Sequence, residues 1–517
     1  MDVKNSQPRR TAVIDIGSNS IKLIIGEAVQ ETVATIEFLK NIIPIGRNTF
    51  YSGMIAPETT KQIIFVLENY KRVIRQYDVS ATRVIATTAI REARNKNIFI
   101  DTVRRKTGYA IDVLTVGDVI YYTDAYLSYQ LHTTYPLEAR NVLIAELGSG
   151  SLDISVMEKG FAVMTIGLPV GMLRIQQLMS KLDGSIAEVH DVVEEYIENE
   201  FQSLKRLLPA VEINDVFLID ESYARYLPQI APDVRVNGNH FQCTQRQIEA
   251  AGDSLHDMAK STVEATYTIP LEYADTMSAY TAVLNGFFTL VQNDHITIVS
   301  TALAEAVLAH MLLSNTLSQR FNKMNQLSSI AQLLCRKFSV DAAHAEKVAQ
   351  ISRILFDNLK GHLGLRDPEL IYLLIAAYLH DAGMFIHNRA HHKHSEYIIM
   401  NLDLFRLTEA EMRLIACVAR YHRKALPRGT HPVFNGLPPE QQLLVLKLAS
   451  LLRIANALDC SHKQKIHHVH IEFSRSRDIT LIISSAENLL LEKLEFNDKK
   501  DLFEEITGAE IKLRMRE

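Results

Sequence analysis

What this sequence has little of narrows its class before any motif is considered. It holds only four cysteines, Cys243, Cys335, Cys417 and Cys460, and none stands in a CxxC spacing. That pattern argues against both a disulfide framework and a structural zinc site, so a reducing compartment is expected. No stretch approaches the apolar length that a membrane span needs, and the opening MDVKNSQPRR is polar and leads directly into a strand-like run. A cytoplasmic protein without a membrane partner follows from this. An excess of one charge is missing as well: 55 Lys and Arg stand against 60 Asp and Glu, a formal net charge of -5. Such a balance gives no global pull toward nucleic acid or anionic lipid, so a polyanion would have to be held by a local site. What remains is an ordinary globular composition, 47% apolar and 22% charged over 517 residues, which is too long for one core and predicts three or four domains.

Along the chain, Thr11 to Ile25 reads as an apolar strand (TAVIDI), a small polar turn (GSNS) and a second apolar strand (IKLII). A third strand and a glycine-bearing loop follow around Phe38 to Arg47, a helix over Pro57 to Asp78, a strand over Arg83 to Thr87 and a helix from Thr88. Near Asn141 the opening theme returns as NVLIAEL, GSGS and LDISVM, an internal duplication of architecture. Two such hairpins suit a two-lobed α/β fold whose turns face one cleft and grip opposite ends of a phosphate chain. From about Ser314 the periods become helical until roughly Lys465, and HHVHIEF, DITLIIS and a last helix and strand predict a small α+β tail.

The two turns carry candidate chemistry. Asp15 ends an apolar strand beside Gly17, Ser18, Asn19 and Ser20. Glycine lets backbone amides approach an anion, the hydroxyls and the amide add donors, and the aspartate suits a divalent cation such as magnesium. In the second turn Glu146 precedes Gly148, Ser149, Gly150 and Ser151, and Asp153 follows; acidic residues bracketing a hydroxyl-rich turn make a metal or water-positioning site for phosphoryl transfer. A lone polar β-turn would be the plainer account of the first segment by itself. The pair favours phosphate binding. Arg91 adds a guanidinium fork that matches phosphate oxygens.

VIDIGSNSIKLII, ATTAIREARN and the GSGS segment, continued by LPVGMLRI and by LHDAGMFIHNRAHHKHSEYIIMNLDLF and VARYHRKALP, resemble the exopolyphosphatase/guanosine pentaphosphate phosphohydrolase (Ppx/GppA) family in its long form. The resemblance implies two actin-like (ribonuclease H-like) lobes around a phosphate cleft, an all-α HD-type domain and a small α+β tail. We assign these to residues 1–128, 129–313, 314–465 and 466–517. It further implies that both turns and Arg91 surround the terminal phosphate of inorganic polyphosphate or guanosine pentaphosphate, that Mg2+ assists, held by Asp15 and Glu146, that Glu146 and Asp153 are catalytic, and that the chain is a homodimer.

Several residues depart from the family pattern. A glutamate thought to activate water is expected between the arginine motif and the second turn, yet LTVGDVIYYTDAYL places Val119 or Ile120 there, with Asp118 shorter and displaced. Glu146 stands for the usual aspartate, Asp153 for a glutamate and Ser149 for a glycine; FLIDESYARYL (217–227) replaces a glycine- and threonine-rich stretch, and Ala304, Glu305 and Ala306 replace arginine, glutamate and glycine. Phosphate binding is therefore expected, with turnover or a non-catalytic sensor both open.

In the helical part, His344, His380 and Asp381 match the opening of an HD-type constellation that would take a second divalent metal, with His391, His392, His394, His422 and Asp459 nearby and Asn456 where a last aspartate is usual. A metal phosphohydrolase, a dimerisation domain with merely hydrogen-bonded histidines, and a positive channel built from NRAHHKH, YHRK and Arg428 remain as alternatives.

Overall fold

The computed structural model describes residues 10–291, 293–402, 404, 407–423, 426–427, 430–473 and 478–515. The chain divides into two compact units, Met1–Asn322 and Lys323–Glu517. The first contains two sheets of the same design. β1 (Thr11–Ile16), β2 (Ser20–Val29), β3 (Thr32–Ile42), β4 (Ala81–Ala86) and β5 (Ile111–Val113) form a five-stranded sheet of order β3-β2-β1-β4-β5. β1 is buried at every position, as a central strand covered on both faces must be.

β6 (Asn141–Leu147), β7 (Leu152–Glu158), β8 (Phe161–Leu168), β9 (Asp215–Ile219), β10 (Arg235–Asn237), β11 (His240–Thr244) and β12 (His295–Val299) form the second sheet, β10-β11-β12-β9-β6-β7-β8. Its β8-β7-β6-β9-β12 portion repeats the first order, antiparallel on one side and parallel on the other. The duplication read from the hairpins thus extends through both sheets.

One face of the first sheet packs Ile14, Ile16, Leu23 and Ile25 against Ile63, Leu67 and Tyr70 of the helix Pro57–Gln76. That helix begins with proline, whose missing N–H costs nothing at a first turn. Each sheet also borrows a helix from the far end of its partner's sequence. The helix Val116–Leu131 follows β5 but packs on β6, β7 and β8, whereas Leu303–Leu312 follows β12 and packs on β1 and β2. Leu308 lies so close to β2 that a Cβ on Gly26 would fall 2.9 Å from it. The expected boundary after residue 128 therefore cuts through a helix that covers the second sheet. The 88–91 helix is a single turn, and the next helix starts at Lys96.

The second unit begins at Lys323; Ser314–Arg320, assigned to the helical part by the sequence, lies in the first unit against the 116–131 helix. The helix Leu370–Leu379 is buried at every position except Tyr372 and packs against Lys323–Lys337, Ala342–Leu363, Glu409–Arg420 and Pro439–Ala457. β13 (His468–Phe473), β14 (Ile479–Ser484) and β15 (Ile511–Met515) close the chain as a three-stranded sheet. The terminal helices pack on Pro439–Ala457, where buried Arg453 reaches Asp501 at 2.9 Å, so the tail shares a unit with the helices. Among the described residues no helix is long and apolar enough to cross a membrane.

Candidate active site

The two turns have the same internal geometry. Gly17 N donates to Ser20 O at 3.0 Å and Gly148 N to Ser151 O at 2.9 Å. Cross-strand register sets Asp15 opposite Lys22 in the first hairpin and Glu146 opposite Asp153 in the second. The parallel neighbours β4 and β9 end beside these positions, Ala86 next to Ile16 and Ile219 next to Glu146, and deliver Thr87 and Thr88 on one side and Asp220 and Glu221 on the other.

The turns touch each other. Thr88 Oγ1 and Ser151 Oγ are 3.1 Å apart, and a Cβ on Gly150 would fall 2.7 Å from Ser18 Oγ and 2.9 Å from Phe50 and Thr88. The expectation that they grip opposite ends of a phosphate chain is corrected: glycine at 150 lets the hairpins abut, so Gly17, Ser18, Asn19 and Ser20 share one rim with Gly148, Ser149, Gly150 and Ser151. The second turn is seated on Gly171, whose Cβ would lie 2.3–2.5 Å from backbone atoms of Ser149 and Gly150. Leu173 N donates to Ser149 O at 2.9 Å.

Charge is concentrated beneath this rim. Asp15 is buried, with Oδ2 3.6 Å from Lys22 Nζ and Oδ1 without a hydrogen-bond donor; burial raises its pKa although Lys22 opposes the shift. Lys22 also pairs with Glu221. Burial alone would lower the Lys22 pKa, but Glu221 and Asp15 outweigh it and hold the ammonium charged. Burial, then the Asp153 charge, pushes Glu146 well above the usual carboxylate range. Burial pushes Asp153 up to about 6, opposed by Arg91 and a Ser151 hydrogen bond, and its Oδ1 also finds no donor. The orphaned buried Asp15 oxygen and the crowded Glu146 carboxyl are what a hard divalent cation with oxygen ligands would satisfy, so these two residues fit such an ion.

Arg91 stands on the single-turn helix with Nη1 bonded to Leu114 O at 2.9 Å and Nη2 to Thr88 Oγ1 at 3.2 Å. Its charge bears on Asp153. Arg174 and Glu221 were not singled out by sequence reasoning. Arg174 donates from Nε to Gly150 O and from Nη2 to Glu92, each at 2.6 Å, and lies 4.0 Å over the Phe50 ring, tying the two lobes at the rim. Only tertiary contact reveals it; the consecutive Asp220 and Glu221 at a strand end were the available signal for the other.

The departures from the family pattern have definite environments. Val119 and Ile120 are each 2% exposed on the 116–131 helix. Asp118 caps that helix, accepting from Thr115 N at 3.0 Å and Thr115 Oγ1 at 2.8 Å, so it is committed to the capping box. Asp220 accepts from the amides of Ser222, Tyr223 and Ala224. Glu305 accepts from Thr301 Oγ1 at 2.6 Å.

In the second unit, His344, His380, His391 and His422 are all buried, so these histidines do not form a solvated face. His344 lies between Asp459 and Asn456, and Asp381 approaches His380, His391 and His422. Lys424 and Arg428 of the suggested positive channel lie outside the described residues.

The sequence matches the Ppx/GppA phosphatase family over residues 24–315 and Ppx/GppA phosphatase domain III over residues 327–504. It is 21% identical over 460 residues to a guanosine-5'-triphosphate,3'-diphosphate pyrophosphatase of Vibrio parahaemolyticus, covering 85% of this chain and 86% of that protein. A Photobacterium profundum protein of the same name is 22% identical over 495 residues, covering 93% and 90%. In fold, the chain is similar to a Ppx/GppA family member of Aquifex aeolicus, with 20% identity, TM-score 0.51 and coverage of 59% of this chain and 98% of that one. An exopolyphosphatase of Cytophaga hutchinsonii gives 17% identity, TM-score 0.51 and coverage of 59% and 98%.

Proposed function

We propose that this chain, which belongs to the Ppx/GppA phosphatase family, a family of phosphohydrolases, removes the terminal phosphate of guanosine pentaphosphate or of inorganic polyphosphate at the rim of the two turns. The observation that carries this reading is the pair of half-buried Glu146 and buried Asp153, set face to face by register beside the donor-rich turns. Asp15 and Glu146 would hold a divalent cation, magnesium by their oxygen-only donor set, which when bound neutralises charge on phosphate oxygens.

The chain's own groups account for the rest. The hydroxyls of Ser18, Ser20, Ser149 and Ser151 and the amide of Asn19 hold the terminal phosphoryl group. Arg91 adds positive charge on the Asp153 side. With its pKa at about 6, Asp153 is ionised at neutral pH and accepts a proton from the attacking water as the new phosphorus–oxygen bond forms and the anhydride bond breaks. This gives the proton acceptor that Val119, Ile120 and the cap-bound Asp118 do not supply. The relatives' names favour the guanosine substrate. A cytoplasmic homodimer belongs to the same reading, and a solution mass of one chain would remove the dimer from it.

The test is phosphate release from guanosine pentaphosphate and long-chain polyphosphate with magnesium or manganese, comparing wild type with Glu146→Gln. Release by wild type that falls at least ~100-fold in the variant is expected. Retained binding with no release by wild type would leave a sensor built on the same rim, a reading motivated by the buried Val119 and Ile120.

A further inference from the structure

The second unit brings together histidines that the sequence spreads over three helices. His380 follows the 370–379 helix, His391 opens His391–Met400 and His422 follows Glu409–Arg420. In each ring Nδ1 lies against a backbone carbonyl: Ala377 O at 2.7 Å for His380, Asn388 O at 3.0 Å for His391 and Ala419 O at 2.7 Å for His422. A carbonyl only accepts, so Nδ1 carries the proton in all three and a neutral ring presents its Nε2 lone pair. Those lone pairs point toward one carboxylate. His391 Nε2 is 3.1 Å and His422 Nε2 3.5 Å from Asp381 Oδ1, the two nitrogens are 3.4 Å apart, and His380 Nε2 is 3.6 Å from Asp381 Oδ2 with no hydrogen-bond partner.

Lone pairs directed at a carboxylate and at each other repel unless a cation lies between them. One proton can serve a single nitrogen–oxygen pair, whereas a metal ion serves all three atoms. Bonds of roughly 2.0–2.2 Å at angles between about 90° and 110° put ligand atoms ~2.9–3.6 Å apart, which is the range that Asp381, His391 and His422 display. Carbonyls that fix the outer ring nitrogen are the usual support of metal-bound imidazole.

His344, by contrast, has no lone pair left. Nδ1 is 2.9 Å from Asp459 Oδ2 and Nε2 is 3.0 Å from Asn456 Oδ1. Asp459 takes the Nδ1 proton. Nε2 then either carries a second proton to reach the Asn456 oxygen or accepts from the Asn456 amide in its flipped orientation; both arrangements occupy the nitrogen. Where an aspartate would leave room for an ion, the asparagine closes the contact with a hydrogen bond.

We propose that Asp381, His391 and His422 form a divalent transition-metal site, displaced from the His344, His380 and Asp381 set that the sequence suggests. Two imidazoles and one carboxylate favour a borderline transition metal over magnesium and leave coordination positions open to water or an anionic ligand. His380 stays outside the set, its Nε2 lone pair 3.6 Å from the other Asp381 oxygen. The site uses no residue of the phosphate rim.

The experiment uses the full chain, stripped with chelator and titrated with Co2+, whose visible d–d absorption reports nitrogen ligation. One nitrogen-bound ion per chain is expected. His391→Ala and His422→Ala should each weaken it by at least ~100-fold, while His344→Ala leaves affinity within about threefold. X-ray absorption at the cobalt edge of the wild type, which needs no variant to fold, should count two imidazoles. No nitrogen-bound ion, fewer than two imidazoles, or loss of binding in His344→Ala with retention in a folded His391→Ala would overturn the assignment.

Discussion

Gly171→Ala tests the idea that the two turns work as one rim. A Cβ at position 171 would lie 2.3 Å from Gly150 C, 2.4 Å from Ser149 O and 2.5 Å from Gly150 N. All three are backbone atoms, so no side-chain rotation relieves the contact. Reaching ordinary separation near 3.4 Å requires the second turn to move by about 1 Å. Gly150 cannot retreat freely either, because Ser18, Phe50 and Thr88 stand 2.7–2.9 Å from the direction its own Cβ would take. Overpacking of this kind costs ~1–3 kcal/mol, and a displacement of about 1 Å at a reacting group lowers turnover by on the order of 100-fold. Gly184→Ala is the matched control, since its nearest contact, at 3.2 Å, is the end of the flexible Glu188 side chain. Magnesium-dependent phosphate release, measured with a thermal melt of each variant, reads both effects. Wild-type kcat/KM in a Gly171→Ala protein would refute the shared rim, because the second turn would then have moved without consequence.

Three further outcomes follow from the buried charges. With Asp153 as proton acceptor, kcat/KM should rise with pH through about 6, where its carboxyl ionises. Asp153→Asn should remove that limb and lower kcat by ~100-fold or more, whereas a variant retaining the limb would assign it elsewhere. Lys22→Met leaves the Asp15 and Glu221 carboxylates without the ammonium they share and should cost ~3–5 kcal/mol. The double variant with Glu221→Gln should recover part of that loss in chemical denaturation, and no recovery would mean the pair is not coupled. Asp124 is 2% exposed, and burial raises its pKa to about 8. The folded state keeps it protonated while the unfolded chain ionises near 4, so its contribution to stability falls as pH rises from about 4 to 8, by as much as ~5 kcal/mol. Asp124→Asn should therefore be no more stable than wild type at pH 4 and more stable at pH 8; parallel melting curves across that range would refute this.

The hairpins were legible because they are local. Alternating and fully apolar runs around small turns predict strand, turn and strand whatever the rest of the chain does, and the repeat at Asn141 identified a second copy. Asp15, Glu146 and Asp153 could be named for the same reason, as acids at fixed positions beside glycine turns. The HD-like residues were legible as a group, but their division was not. Whether His344 keeps a lone pair depends on Asp459 and Asn456, more than a hundred residues away.

The sequence by itself determined the order of strands and helices, the duplicated turns and the acidic residues that flank them, since these depend on side-chain period and on neighbours a few positions apart. Only the tertiary structure decided that the turns abut, that Lys22 meets Glu221, that Arg174 ties the rim, and that the 116–131 and 303–312 helices cover each other's sheets. The physical reason is one of distance along the chain. A carboxylate's pKa, a ring nitrogen's free lone pair and the room for a Cβ are set by atoms the fold brings within a few ångströms, and neither composition nor spacing encodes which atoms those are.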